Sequence, residues 1–324
     1  MITHLLPSFA LAFALSVGVA APAAAAWPEK PITVVVPYPA GGFSDIVTRT
    51  LTEAVGRQLG QIVVVENRPG ASGKIGLDQV RRAPKDGYTI GLALQGPMAI
   101  LPLTDPNFGI VPLRDFEPIT LAVDTFNVLV VSQEKFPTGG LKEFMAALRA
   151  KPGKMNYATA GPGTSFHFNS VILNEKLGID AVHVPYKGEA PALNDVAAGV
   201  VDYMLASQGA KAYVDAGRLR PLAVAASQRI APYRDVPTFK ELGIDFTTDG
   251  WLGFVAPVGV PAPVIERLQT AFIKAVQMPE VHKALDVMGF KPVGATGAEF
   301  RRVIEQTSKR YADLLRSGKV SLKP

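Results

Sequence analysis

Residues Pro37 to Asp45 read PYPAGGFSD. The β-rich run ITVVVPY (32–38) leads into them. The segment SDIVTRTLTEAVGRQLG (44–60) follows, with Val47, Leu51, Ala54, Val55 and Leu59 on one helical face and Gly60 as a stop. A glycine pair at a strand-to-helix turn permits positive φ and removes side chains, so something can approach the backbone closely. Ser44 is placed to cap the helix, and Asp45 suits the positive end of its dipole. The free N–H groups of such a turn suit an anion.

Working outward, IVVVEN (62–67) is the next strand, then comes the turn RPGASG, a helix near Lys74–Ala83 and the strand TIGLAL (89–94). These are βαβ units, which predict a mostly parallel sheet covered by helices. A second set begins at NVLVVS (127–132) and reaches the strand MNYATA (155–160) and the turn GPGTS (161–165), which opens the helix FHFNSVILNEKLG. Strands, a helix at APALNDVAAG, the short strand GFVAP and three terminal helices complete the chain. Both halves start alike, with a strand, a glycine-rich turn and a helix. That pattern predicts two α/β domains with a cleft between them.

The turn at Gly161, Gly163, Thr164 and Ser165 repeats the design of the first, with Thr164 or Ser165 as the cap. Either turn alone is weak evidence for a ligand, because βα turns often carry glycine for structural reasons. Two helix starts facing across a cleft are more informative, since together they suit one carboxylate.

Composition narrows the alternatives. The chain has 324 residues, 48% hydrophobic and 19% charged, with no cysteine. Thiol chemistry, disulfides and zinc–cysteine sites are thereby excluded. The net charge is +5, but basic residues are scattered, so nucleic acid is not an expected partner. No metal site is expected, since His4, His167, His183 and His282 lack ligand spacing, and no cofactor motif is present. Gly161 to Phe166 is not G-x-G-x-x-G, and GASGK (70–74) is neither a nucleophile elbow nor a P-loop. Ser165 and His167 form a nominal nucleophile and base, but they stand two apart at one helix start; a polar lining or packing role suits His167 better. Residues 1–26 contain a long apolar run ending APAAAA before Trp27, which reads as a cleaved signal peptide, with an uncleaved anchor as the competing reading.

Read together, WPEKPITVVVPYPAGGFSD, VVENRPGASGKIG, APKDGYTI, KMNYATAGPGTSFH, VPYKGEAPALNDVAAGVVDYM, GRLRPLAVAAS and GFVAPVGVPAPVIERL resemble the exported solute-binding proteins of tripartite tricarboxylate transporters, the Bug or TctC-like family. The resemblance spans nearly the whole chain after Trp27. It implies a type II periplasmic-binding-protein fold, α/β, with two domains joined by a hinge and a ligand cleft between them. The expected division is 1–26 as signal peptide, 27–126 with 252–324 as a discontinuous first domain, and 127–251 as the second. It also implies a periplasmic monomer that closes on a small organic carboxylate and delivers it to membrane subunits of a tripartite transporter, without catalysis. A carboxylate-sensing protein that signals through a membrane sensor would show the same sequence.

The resemblance places the ligand between the turn Tyr38, Ala40, Gly41, Gly42, Phe43, Ser44 and Asp45 and the turn Gly161, Gly163, Thr164, Ser165 and His167. Tyr38 and Phe43 are expected to pack on its carbon skeleton. Two stretches depart from the family pattern. Gln95-Gly96-Pro97-Met98 replaces a Ser/Asn-Gly-Thr-His stretch, and Ala206-Ser207-Gln208 replaces an Asp-Asn-like pair. Gln95, Ser207 and Gln208 then offer neutral hydrogen bonds. The lost acidic residue argues against an amino-acid ligand, whose ammonium would want a carboxylate. Lys187 either complements a second anionic group or is simply solvated. Asn67-Arg68-Pro69-Gly70 reads as a turn, and Trp251 as either a cleft wall or hinge packing.

Overall fold

The computed structural model describes residues 27–317 apart from Asp249. The signal-peptide expectation for 1–26 lies outside the described residues. Among the described residues, no helix is long and apolar enough to cross a membrane.

The strands are β1 (Ile32–Val36), β2 (Val63–Asn67), β3 (Thr89–Leu94), β4 (Phe116–Thr125), β5 (Val128–Ser132), β6 (Asn156–Thr159), β7 (Val182–Pro185), β8 (Tyr203–Ala206), β9 (Leu219–Val224), β10 (Gly250–Pro257) and β11 (Lys291–Thr296). The helices are α1 (Phe43–Leu59), α2 (Lys74–Arg82), α3 (Leu101–Thr104), α4 (Pro112–Asp115), α5 (Leu141–Ala150), α6 (Ser165–Leu177), α7 (Glu189–Ala197), α8 (Lys211–Asp215), α9 (Ala262–Gln277), α10 (Pro279–Val287) and α11 (Gly297–Arg316).

The strands form two sheets, one ordered β11-β4-β10-β3-β1-β2 and the other β7-β6-β8-β5-β9. The first draws on both ends of the described chain; the second lies wholly within its middle. Helices α9 and α11 pack on β4, so the C-terminal part of the chain covers the sheet that the N-terminal part began. We call the two units the first and second lobe.

The expectation of a mostly parallel sheet from the N-terminal βαβ units is corrected. β1 is parallel to β2 and β3, but β10 runs antiparallel to both β3 and β4, and β11 antiparallel to β4. In the second sheet β6 is parallel to β7 and β8, while β5 is antiparallel to β8 and β9. The βαβ pattern governs strands joined by helices. β4 and β10 lie at the two places where the chain passes between sheets, and they enter without a crossover helix.

Helix α1 shows how local chemistry sets the elements. Val47, Leu51, Ala54 and Val55 are buried on one face. The helix ends where Gly60 adopts φ 67° and donates to the Gly56 carbonyl, as a left-handed C-cap does. At the other end the N-cap is Gly42, with helix from Phe43, so Ser44 lies inside the first turn and does not cap. Helix α6 follows the expectation: Thr164 is its N-cap, and its hydroxyl accepts from the His167 N–H at 3.4 Å.

Candidate functional site

The two glycine turns stand at the C-terminal ends of β1 and β6, where parallel strands deliver helix starts to a crevice. The structure brings them together, and the lobes touch around them. Ser72, after β2 in the first lobe, donates its hydroxyl to the Pro162 carbonyl at 2.8 Å. A Cβ on Gly163 would fall 2.3 Å from Leu101 Cδ2, and one on Gly188 would fall 2.6 Å from Pro39 Cδ. Both glycines have positive φ, 68° and 142°, so close lobe approach and backbone conformation demand glycine at each.

Two small cavities lie at this junction. One of about 20 Å³ is lined by Phe43, Gln95, Asn127, Ser165, Phe166, Asn169, Ser207 and Trp251, among others. The second, of about 10 Å³, is lined by Tyr38, Pro39, Gly42, Phe43, Ser44, Ala160, Phe166 and Glu189. Each is about the size of one water molecule. The cleft is therefore closed, and any larger ligand enters through an opened form. A roomier cavity of about 690 Å³ sits beside it, past Thr125, Gly250 and Trp251. It reaches Phe290 just before β11, Lys291 on β11 and Arg310 on α11, and neither glycine turn lines it. Size alone favours that cavity; the convergence of helix starts favours the junction.

The first turn is held from behind. Asp45 is 4% exposed and accepts from the Gly41 N–H at 3.0 Å, from Arg49 Nε at 3.0 Å and from Asn67 Nδ2 at 3.0 Å. Burial pulls its pKa up, but these hydrogen bonds, Arg49 foremost, outweigh that and hold it below the usual carboxylate range. Asp45 thus acts as a clamp, with its carboxylate committed away from any ligand. Asn67, read as part of a turn, belongs to this clamp: its Nδ2 also donates to the Tyr38 carbonyl at 3.1 Å, and its Oδ1 accepts from Arg49 Nη2 at 3.0 Å. Tyr38 is buried, with its phenol pushed up by desolvation, and its hydroxyl meets the Ser72 carbonyl at 3.3 Å. Phe43 contacts Phe166 edge-on across the lobes, ring centroids 5.8 Å apart. Ala40 and Gly41 lie exposed at the rim.

The second turn closes on itself. The Gly161 N–H donates to Thr159 Oγ1 at 3.2 Å, and the Gly163 N–H to His167 Nδ1 at 3.2 Å. Thr164 Oγ1 donates to the Gly161 carbonyl at 2.7 Å. The glycine amides expected to face a ligand are therefore satisfied internally, which leaves Ser165 at the helix start beside the cavity. His167 is buried and stacks on His183 at 4.1 Å. Desolvation holds its pKa down, and His183 falls to about 4 through desolvation and the neighbouring His167. No hydrogen bond joins Ser165 to His167 among the described residues; His167 Nδ1 accepts instead from the Gly163 N–H. The nominal nucleophile and base are not assembled.

Gln95 is buried at the end of β3 and lines the larger of the two small cavities. It precedes one turn of π-helix, Gly96–Ile100. Ser207 is buried too, and Gln208 donates to the Gly289 carbonyl across the lobes at 3.3 Å. Lys187 is exposed and lines neither small cavity. Trp251 is a wall, its Nε1 donating to Thr307 Oγ1 at 3.1 Å.

Sequence reasoning missed a polar floor and an acid. Asn127 and Asn169 join by Asn169 Nδ2 to Asn127 Oδ1 at 3.0 Å, and Asn127 Nδ2 donates to the Ala206 carbonyl at 3.2 Å. Asn169 lies one turn after Ser165 on α6, a spacing visible in the sequence. The acid is Glu189, at the start of α7 and 4% exposed. Its carboxylate accepts from the Ser207 N–H at 2.6 Å, from Ser207 Oγ at 2.8 Å and from the Phe43 N–H of the other lobe. The acidic residue that is absent at Ala206-Ser207-Gln208 thus has a counterpart nearby, a carboxylate that arrives from a different element.

The arrangement offers helix starts, amide side chains and aromatic walls around a closing cleft. A family profile described as the tripartite tricarboxylate transporter family receptor matches residues 47–319. BugT of Bordetella pertussis is 33% identical over 315 residues, covering 96% of each chain. The solved periplasmic binding protein BugD superposes with a TM-score of 0.86 at 33% identity, over 91% of this chain and 99% of that one. MatC from Rhodopseudomonas palustris, solved with bound malate, gives 0.84 at 30% identity, over 89% and 99%. Another R. palustris protein, solved with adipate, gives 0.87 at 28% identity, over 91% and 99%. With its two-lobed α/β architecture and glycine-turn cleft, this chain belongs to the TctC/Bug family of periplasmic solute-binding proteins.

Proposed function

We propose that this protein captures a small organic carboxylate between its two lobes and delivers it to the membrane subunits of a tripartite tricarboxylate transporter. The observation that carries the reading is the meeting of the α1 and α6 helix starts, one from each lobe, at a water-sized polar cavity. A helix start presents unpaired N–H groups and the positive end of a dipole, which favours a carboxylate without any basic side chain. Malate in MatC and adipate in the second R. palustris protein support the same ligand class. The moving units are 27–126 with 252–324 and 127–251, hinged where the chain passes between sheets. The protein acts as an exported monomer, and the ligand leaves unchanged.

A thermal-shift screen of malate, adipate, tricarboxylates, aromatic acids and amino acids tests this. Binding stabilises only the folded state, by about 2.7 kcal/mol at a hundredfold excess over Kd. For a chain of this size that is a rise on the order of 5 °C. A ligand-dependent pull-down of transporter subunits checks the delivery step. If no acid in the screen raises the melting temperature, the reading fails.

A further inference from the structure

Helix α1 receives no side-chain cap from its own N-cap residue, Gly42, whereas α6 is capped locally by Thr164. The N–H groups that open a helix need acceptors from somewhere. For the first of them in α1, the Phe43 N–H, the acceptor is the Glu189 carboxylate of the second lobe. The helix dipole favours a negative group at that end as well. Glu189 therefore does for α1 what a ligand carboxylate would do, and it does so only while the lobes are together.

The acceptor is set in place by its own lobe. Glu189 Oε1 accepts from the Ser207 N–H at 2.6 Å and from Ser207 Oγ at 2.8 Å, and Oε2 lies 2.9 Å from the same hydroxyl. An added Cβ on Gly209 would fall 2.5 Å from Oε2, so backbone lies close beside the carboxylate. The cavity that Glu189 lines with Gly42, Phe43 and Ser44 holds about 10 Å³, room for one water. A ligand carboxylate does not fit there beside Glu189, so the two compete for one N–H group. Other bonds join the lobes without that competition, from Ser72 Oγ to the Pro162 carbonyl and from Gln208 Nε2 to the Gly289 carbonyl. Both use neutral groups, and neither lies at the start of α1.

We propose that Glu189 is an internal stand-in for the ligand carboxylate. It holds the free protein closed on itself and must leave the α1 start before a ligand carboxylate takes that place. The competition rests on the carboxylate-capture reading above; the self-closure does not. Apparent affinity is lowered by the fraction of protein held in the self-closed form, and removing the contact restores it.

The test compares the full wild-type chain with Glu189→Ala and Gly209→Ala. The first removes the carboxylate. The second keeps it and displaces it with a methyl group, at a glycine outside the left-handed region. Without ligand, small-angle scattering of wild type is expected to match the profile of this closed structure, and both variants are expected to show a larger radius of gyration. In calorimetric titration, malate or adipate is expected to bind both variants about threefold or more tightly than wild type. Ligand-free wild type that scatters as an open form, or variants as compact as wild type, overturn the self-closure. Unchanged or weaker binding by the variants overturns the competition, because Glu189 would then be a contact that the liganded form keeps. The Gly209→Ala comparison stands if Glu189→Ala fails to fold, and the wild-type scattering stands without either. If neither acid binds any of the three proteins, the carboxylate-capture reading loses support while scattering still decides the self-closure.

Discussion

The two glycine turns look alike in sequence and work differently. PYPAGGFSD is tied to partners beyond itself: its own Asp45 accepts from Arg49 and Asn67, and the Phe43 amide at its helix start reaches a carboxylate of the other lobe. AGPGTSFH is braced mostly from inside: Thr164 and His167 take up a carbonyl and an amide of the turn, joined by Thr159 immediately before it. Two acids flank the first turn, and they diverge as well. Asp45 is cation-paired with a lowered pKa, whereas Glu189 has neutral donors only and a raised one. Turn composition therefore does not decide which amides remain for a ligand; the partners arriving from elsewhere do.

The largest expected effect attacks the external brace. Asp45→Ala strands the Gly41 amide, Asn67 and Arg49. Breaking a buried ion pair costs about 3–5 kcal/mol, and Arg49 is half exposed, so about 3 kcal/mol of unfolding free energy should be lost in a urea titration. A change under 1 kcal/mol would mean the turn holds itself.

Next comes the pH contrast between the acids. The folded pKa of Glu189, about 7, lies above its ordinary 4.5. Its contribution is therefore full below pH 4.5 and is lost as pH rises through 7, by up to about 3 kcal/mol. Asp45 and His183 have lowered values and act in the opposite sense, losing stability as pH falls, for His183 from 6.5 through about 4. Comparing Glu189→Gln with wild type at pH 5 and pH 8 isolates the first effect, and the variant should lose less stability on going alkaline. Parallel slopes would contradict the assignment.

A smaller effect tests the self-braced turn. Gly163→Ala places a methyl against Leu101 of the first lobe in a left-handed conformation that costs about 1–2 kcal/mol. Closure should weaken, and affinity for whichever acid the screen identifies should fall about tenfold by titration. Unchanged affinity would show that the lobes close without this contact.

Much of the fold was legible in the sequence because it rests on local signals. The apolar face of α1, the Gly60 stop and the Thr164 cap all follow from spacing and side-chain chemistry within one turn of helix. The cap of α1 was misplaced by two residues because Gly42 and Ser44 both suit that role. The first sheet was expected to be mostly parallel, since βαβ spacing carries no information about β10, which returns from the other lobe beside β3 and β4. At the site, Glu189 and Asn67 were missed for one physical reason. Each reaches the turn through space, Glu189 from the start of α7 and Asn67 from the end of β2. Asn169 was within reach, one helical turn after a residue already singled out.

The most direct test of the central claim is a crystal structure of the protein with a saturating acid taken from the thermal-shift screen. The account predicts a ligand carboxylate oxygen within hydrogen-bond distance, about 2.7–3.2 Å, of the first-turn N–H groups of α1 or α6, directly or through one water. A ligand seated instead in the roomier cavity beside Phe290, Lys291 and Arg310, with the glycine turns unoccupied, would contradict it.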